Sequence, residues 1–308
     1  MKEIIRVSQL TKRYNSLTAV DAVDFSVHEG SLFAFLGPNG AGKTTTIHVL
    51  CTLLEKTAGE VTVAGYRVGQ DDEAIRKTIG VVFQDNVLDD LLTVRENLLS
   101  RGGLYGLPGS RLHDRLTEVA DILGVGDLLG RRYGKLSGGQ RRRVEIGRAL
   151  MGDPRILFLD EPTTGLDPQT RISVWQTIRR LQSAYGMTVF LTTHYMEEAE
   201  NADWVTVIDA GRIAAEGPPH QLKEKYSTDM LRLVPVAGSR PALEVRLEQE
   251  GFSCGTVADR LHIPIRNSLE GYRLLRDLEG MYSAFEVVNG SMDDVFVNIT
   301  GHAIREDK

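Results

Sequence analysis

The stretch Gly37-Pro38-Asn39-Gly40-Ala41-Gly42-Lys43-Thr44-Thr45 has residue types and spacing suited to phosphate chemistry. With no Cβ at Gly37, Gly40 and Gly42, backbone N–H groups can curl around a polyphosphate, and the N-terminus of a following helix adds partial positive charge. Lys43 supplies a full cation to the β and γ phosphates, and the Thr44 hydroxyl is placed to ligate Mg²⁺. At ~4 Å and an effective dielectric near 20, one such pair is worth about 4 kcal/mol before desolvation. By itself the loop specifies a nucleoside triphosphate and nothing finer.

Two further clusters narrow that reading. Ile156-Leu157-Phe158-Leu159 reads as a buried strand that delivers Asp160 to the C-terminal edge of a sheet, where ligands sit in open α/β folds. Asp160 is suited to holding Mg²⁺ through water, and Glu161, alternating to the other side, is suited to orienting and deprotonating an attacking water. Acidic residues after a strand also serve as helix caps, a reading that weakens once a phosphate loop stands in the same chain. Leu136-Ser137-Gly138-Gly139-Gln140 offers a serine hydroxyl and two unobstructed N–H groups at a helix start, again suited to an anion. A plain N-cap with a glycine turn explains the same residues. Because one cradle already serves the chain's own nucleotide, the economical reading gives the second to the nucleotide of a partner subunit.

The elements that must position these residues are legible from periodicity. Ile4–Val7, Ala19–Val27 and Ser31–Phe35 are apolar or alternating runs broken by turn formers, and the last feeds the glycine loop, after which residues 43–54 read as a helix. Apolar residues at helical spacing from Thr93 to about Leu129 indicate a helical subdomain, at about residues 88–150. A helix from Gln140 to Met151, the strand at 156–159, a helix over 172–181 and a strand over 188–191 imply a mostly parallel α/β sheet. Glu216-Gly217-Pro218-Pro219 breaks the pattern and marks a boundary between residues 1–220 and 221–308. Beyond it, the order strand, helix, two strands, helix, strand predicts a small α+β domain with a ferredoxin-like split βαβ arrangement. The last segment reads as an amphipathic helix with Ser291 as N-cap, Asp293 and Asp294 in its first turn, and Val295, Phe296 and Ile299 on its apolar face.

Composition excludes several classes. The 308 residues, 42% apolar and 25% charged, suffice for one substantial core and a smaller second one. Wholly apolar runs such as Leu32–Leu36 fall far short of the ~20 residues needed to cross a bilayer. The N-terminus carries charge of both signs and lacks a secretory-signal pattern. Cys51 and Cys254 lack metal-type spacing and read as incidental thiols in a reducing compartment. The net charge of −6 divides equally between residues 1–220 and 221–308, so neither part reads as a nucleic-acid binder.

On these motifs the chain resembles the nucleotide-binding subunit of an ATP-binding cassette (ABC) transporter over about residues 3–220. The resemblance makes the glycine loop Walker A, residues 136–140 the signature motif, and residues 156–160 Walker B with Glu161 as catalytic carboxylate. It further implies that Tyr14 stacks on adenine, a contact of about 1–3 kcal/mol. Gln84 would reach Mg²⁺ and the attacking water, with Thr44 and Asp160 as the other metal-side residues. Asp167, in Gly165-Leu166-Asp167-Pro168, would lie in the loop that crosses between subunits, and His194 would be the switch histidine beside the γ-phosphate. The implied assembly is a head-to-tail homodimer around two ATP, peripheral on the cytoplasmic face of the membrane and docked on an integral permease. Since none of these motifs departs from the family pattern, both sites of such a homodimer would be competent.

Within the family, one cassette followed by a tail of about 90 residues resembles the ATPases of ABC-2-type exporters, including drug-resistance systems. The C-terminal domain would then be accessory or regulatory. An importer ATPase shares every cassette motif and is the alternative. Soluble ABC ATPases fit less well: the translation-factor type carries two cassettes, and the chromosome-structure type separates Walker A from Walker B by long coiled coils.

Overall fold

In the computed structural model, which describes residues 2–301, the chain divides between Pro218 and Pro219. The first unit begins with β1 (Glu3–Tyr14), β2 (Leu17–His28), β3 (Leu32–Leu36), α1 (Lys43–Leu50), β4 (Ala58–Val63), β5 (Tyr66–Arg67), α2 (Asp72–Thr78) and β6 (Ile79–Val82). Helices α3 (Val94–Leu104), α4 (Gly109–Leu123) and α5 (Gly138–Leu150) follow. The unit closes with β7 (Ile156–Asp160), α6 (Pro168–Tyr185), β8 (Thr188–Thr193), α7 (Met196–Ala199), β9 (Trp204–Asp209) and β10 (Arg212–Gly217).

Among the described residues of this unit, strands β2-β1-β4-β5 form an antiparallel sheet and strands β10-β9-β3-β8-β7-β6 form a second, parallel except at the β9–β10 pair. Every residue of β3, β7 and β8 is buried, as strands covered on both faces must be. Phe25 of β2 meets Phe33 of β3 at 5.7 Å, and Phe33 meets Phe190 of β8 at 5.0 Å, so aromatic packing ties the two sheets together. The expected helix over 43–54 stops at Leu50, because Cys51 caps it and Thr52 turns to φ 59°. The helical stretch from Thr93 resolves into α3 and α4. Thr93 and Glu96 exchange side-chain and backbone hydrogen bonds at the start of α3, and Gly124 at φ 60° ends α4.

The second unit contains α8 (Pro219–Tyr226), β11 (Asp229–Pro235), α9 (Arg240–Gln249), β12 (Gly255–Val257), β13 (Arg260–Ile265), α10 (Ser268–Asp277), β14 (Tyr282–Val288) and α11 (Met292–Thr300). Its sheet runs β12-β13-β11-β14 with every neighbour antiparallel, the order of a ferredoxin-like split βαβ fold. Leu231, Leu233, Leu261 and Ile263 from the strands pack with Leu243 and Leu247 of α9 and Leu274 of α10. Helix α11 starts as its sequence pattern predicts: the Ser291 hydroxyl accepts from Asp294 N at 3.1 Å, and the Asp294 carboxylate accepts from Ser291 N at 2.9 Å. Val295 and Phe296 are buried while Ile299 is only half-buried. Removing the cap hydroxyl with Ser291→Ala is expected to lower stability by about 1 kcal/mol. A urea unfolding midpoint unchanged from wild type would show that the cap contributes nothing.

Candidate active site

The order of the parallel strands decides which loops meet. Gly37 follows β3, His194 follows β8, Glu161 follows β7 and Gln84 lies just beyond β6, and these four strands are consecutive neighbours. The register pairs Leu36 with Thr193, Asp160 with Thr192, and Val82 with Leu159, so four chain segments far apart in sequence emerge side by side from one sheet edge. That edge is where open α/β sheets bind ligands.

The glycine loop is shaped by contacts that only glycine permits. A Cβ at Gly37 would meet the Ile208 carbonyl at 2.3 Å, and one at Gly42, whose φ is 105°, would meet the Ala19 carbonyl at 2.5 Å. Gly42 stands immediately before α1, leaving the first N–H groups of that helix free for an anion. The buried Lys43 ammonium donates to the carbonyls of Gly37 at 2.8 Å and Pro38 at 3.0 Å, and lies 3.2 Å from Glu161 Oε1. Burial pushes the Lys43 ammonium below its ordinary value, against the opposing pull of Glu161 and Asp160.

The two carboxylates do not alternate across a strand as expected. Strand β7 ends at Asp160, and Glu161 turns to φ 45°, its N–H donating to the Thr192 hydroxyl at 3.0 Å. The turn swings Glu161 toward Lys43 and His194, onto the side where Asp160 also acts. Asp160 accepts from the hydroxyls of Thr192 at 2.5 Å and Thr44 at 3.4 Å. Glu161 has His194 Nδ1 at 3.3 Å from its second oxygen. Burial alone raises the Glu161 carboxyl, but His194 and Lys43 together outweigh it and bring it down to about 2.

These groups open on a cavity of about 730 Å³ lined by Tyr14, Asn39, Gly40, Gly42, Lys43, Thr44, Thr45, Gln84, Glu161 and His194. Pro38 and Ala41 complete the loop behind it, Ala41 buried. Tyr14 is 42% exposed, with Lys12 Nζ 5.0 Å above its ring. The cavity wall also includes Arg171 and Tyr195, which sequence reasoning missed; the guanidinium of Arg171 lies 4.1 Å over the Tyr195 ring and donates to the Leu166 carbonyl at 3.0 Å. Nothing in a one-residue polar signal separates such an arginine from a solvated helix face.

The structure does not bring Ser137, Gly138, Gly139 and Gln140 into this cavity. Ser137 caps α5, accepting from Gln140 N at 3.4 Å while Gln140 Oε1 accepts from Ser137 N at 3.0 Å; Ser137 and Gly138 are exposed. Packing accounts for Gly139: a Cβ there would meet the Thr170 side chain at 2.4 Å. Asp167 caps α6 by accepting from Thr170 N at 3.0 Å, and hydrogen bonds from the Thr170 hydroxyl and backbone hold its carboxyl below the ordinary range.

Known proteins resemble this chain in sequence and fold. A family model described as ABC transporter matches residues 20–164. The daunorubicin/doxorubicin resistance ATP-binding protein DrrA of Streptomyces peucetius is 40% identical over 306 residues, covering 97% of this chain and 92% of that protein. The Nod factor export ATP-binding protein I of Ralstonia nicotianae is 36% identical over 313 residues, covering 98% and 95%. The solved dimeric post-hydrolysis state of the ATP-binding cassette MJ0796, bound to ADP and Pi, matches with a TM-score of 0.63 at 28% identity, covering 70% of this chain and 98% of that one. The chain belongs to the ATP-binding subunits of the ABC transporter family, and it is an ATPase.

Proposed function

We propose that the chain powers an ABC-2-type exporter: two copies close head to tail around two ATP at the cytoplasmic face of a membrane and drive a permease docked on them. The observation that carries the dimer is the exposed cap of α5, a helix start suited to an anion and lying outside the cavity lined by Walker A. The MJ0796 cassette is a dimer, and relatives named for drug resistance and Nod factor export support the exporter reading. No helix among the described residues is long and apolar enough to cross a membrane.

At each site the loop N–H groups and Lys43 bind the β and γ phosphates, and Tyr14 stacks on adenine. The hydroxyl, carboxylate and amide oxygens of Thr44, Asp160 and Gln84 form an all-oxygen set that suits Mg²⁺. Bound there, Mg²⁺ neutralises charge on the phosphates. Glu161 orients and deprotonates the attacking water, and His194 faces the γ-phosphate. A carboxyl near 2 is a weak base at neutral pH. Phosphates that draw Lys43 and His194 away from Glu161 remove the groups that depress it, so its basicity rises when substrate is bound.

The permease groove lies along residues 84–92, where Val87 is 52% and Leu91 76% exposed, and along the adjoining helices. Leu91→Asp is expected to abolish ATP-driven transport while basal ATPase of the isolated chain stays within about twofold, since no phosphate ligand changes. Equal loss of both activities would put Leu91 in the chemistry instead. The test of the whole reading is to identify the membrane protein that co-purifies with the chain and reconstitute the pair. ATP-dependent accumulation in inside-out vesicles is the expected result, whereas uptake into right-side-out vesicles without efflux would make the complex an importer.

A further inference from the structure

Helix α5 carries a buried polar row, Arg142, Glu145 and Arg148, on the turns that follow its Ser137 cap. Arg142 is 5% exposed and directs its guanidinium donors at backbone carbonyls alone. Nε donates to Pro162 O at 2.6 Å, Nη1 to Phe83 O at 2.6 Å and Gln84 O at 3.4 Å, and Nη2 to Asp160 O and Glu161 O, both at 3.2 Å. One side chain thereby joins the loop bearing Gln84 to the strand end bearing Asp160 and Glu161. One turn on, the 1% exposed Glu145 holds the other half of that loop: Oε1 accepts from Val87 N at 2.8 Å and Leu88 N at 3.1 Å. Its second oxygen accepts from Arg148 Nε at 2.8 Å, and Arg148 in turn donates to Val81 O at 2.6 Å.

We infer that Arg142 and Glu145 are positioning residues that lock residues 83–88 and the end of β7 to the helix begun by the signature motif. The inference rests on the ATPase reading above and adds the linkage within it. Thr192 of β8 also holds Asp160 and Glu161, but the α5 side chains bond both the residue 83–88 loop and the end of β7, so a displacement of α5 bears on Gln84 and Glu161 together. Contact of Ser137 with a partner's nucleotide is then felt at the chain's own catalytic carboxylate through one helix. The link depends on shape as well as charge. A guanidinium presents five donors in a fixed plane, whereas an ammonium has three around a point and cannot span both segments. Buried networks of this kind loosen as a unit when one member is replaced.

The test compares the full-length wild type with Arg142→Lys and, as a milder change, Glu145→Gln. Both variants are expected to speed amide hydrogen exchange at Val87 and Leu88 by about tenfold or more, while α1 and β3 keep wild-type protection. In Arg142→Lys, kcat is expected to fall by about tenfold to 100-fold with the Kd for ATP within about threefold, the split expected when reacting groups are misplaced but phosphate ligands remain. Wild-type exchange at Val87 and Leu88 in both variants, or an unchanged kcat in Arg142→Lys, would overturn the inference. If Arg142→Lys fails to fold, the exchange of Glu145→Gln decides alone. A wild-type chain that failed to hydrolyse ATP would count against the proposed function, and the exchange comparison would still decide the linkage.

Discussion

Glu161→Gln is expected to retain ATP binding and lose at least about 10²-fold to 10⁴-fold of its turnover, the usual weight of a positioned general base. The amide preserves the shape that reaches toward Lys43 and His194, so the cavity keeps its walls, but it cannot take a proton from water. Nucleotide binding is followed with a fluorescent ATP analogue and turnover by phosphate release, and the variant is expected to accumulate as an ATP-bound dimer on size-exclusion chromatography. Turnover within a few fold of wild type would remove Glu161 from the catalytic role. The same substitution has a pH signature in the protein without nucleotide. The folded carboxyl is depressed from 4.5 to about 2, so its ion-pair contribution to stability is fully present above about pH 4.5 and is lost as the pH falls toward 2. The stability gap between wild type and Glu161→Gln is therefore expected to narrow over that window, and a gap independent of pH would contradict the ion pair.

Lys43→Ala and Ser137→Arg are each expected to inactivate the protein by different routes. Loss of Lys43 removes a phosphate cation worth about 4 kcal/mol before desolvation and leaves buried Glu161 without its partner, so the Kd for ATP is expected to rise by roughly 100-fold. Ser137→Arg leaves the chain's own cavity intact, because Ser137 does not line it, and places bulk where a partner's γ-phosphate would lie. Monomeric ATP affinity is therefore expected to persist in Ser137→Arg while ATP-dependent dimerisation fails. If each composite site takes Walker A from one subunit and the signature from the other, mixing the two variants restores one intact site per heterodimer. Partial recovery of ATP-dependent dimerisation is the expected result. Crosslinking that found Lys43 and Ser137 on the same ATP within a single subunit would sink the composite site.

The sequence by itself determined the chemistry and most of the architecture. Glycines, a lysine and a hydroxyl at fixed offsets specify a phosphate cradle because the geometry is local, set by a strand, a tight turn and a helix start within one short stretch. The buried runs that became β3, β7 and β8 and the ferredoxin-like order of the second unit were legible for the same reason, since side-chain periodicity is a property of neighbouring residues. Only the tertiary structure decided what those pieces do to one another. Strand order brought Glu161 beside Lys43 and His194, and a left-handed backbone at Glu161 defeated the alternation that would have turned it away from them. Of three consecutive arginines, Arg141, Arg142 and Arg143, only Arg142 is buried, and its partners lie at residues 83–84 and 160–162. An identical run of types carries no mark of which member turns inward, because that depends on which face of α5 meets the ends of β6 and β7.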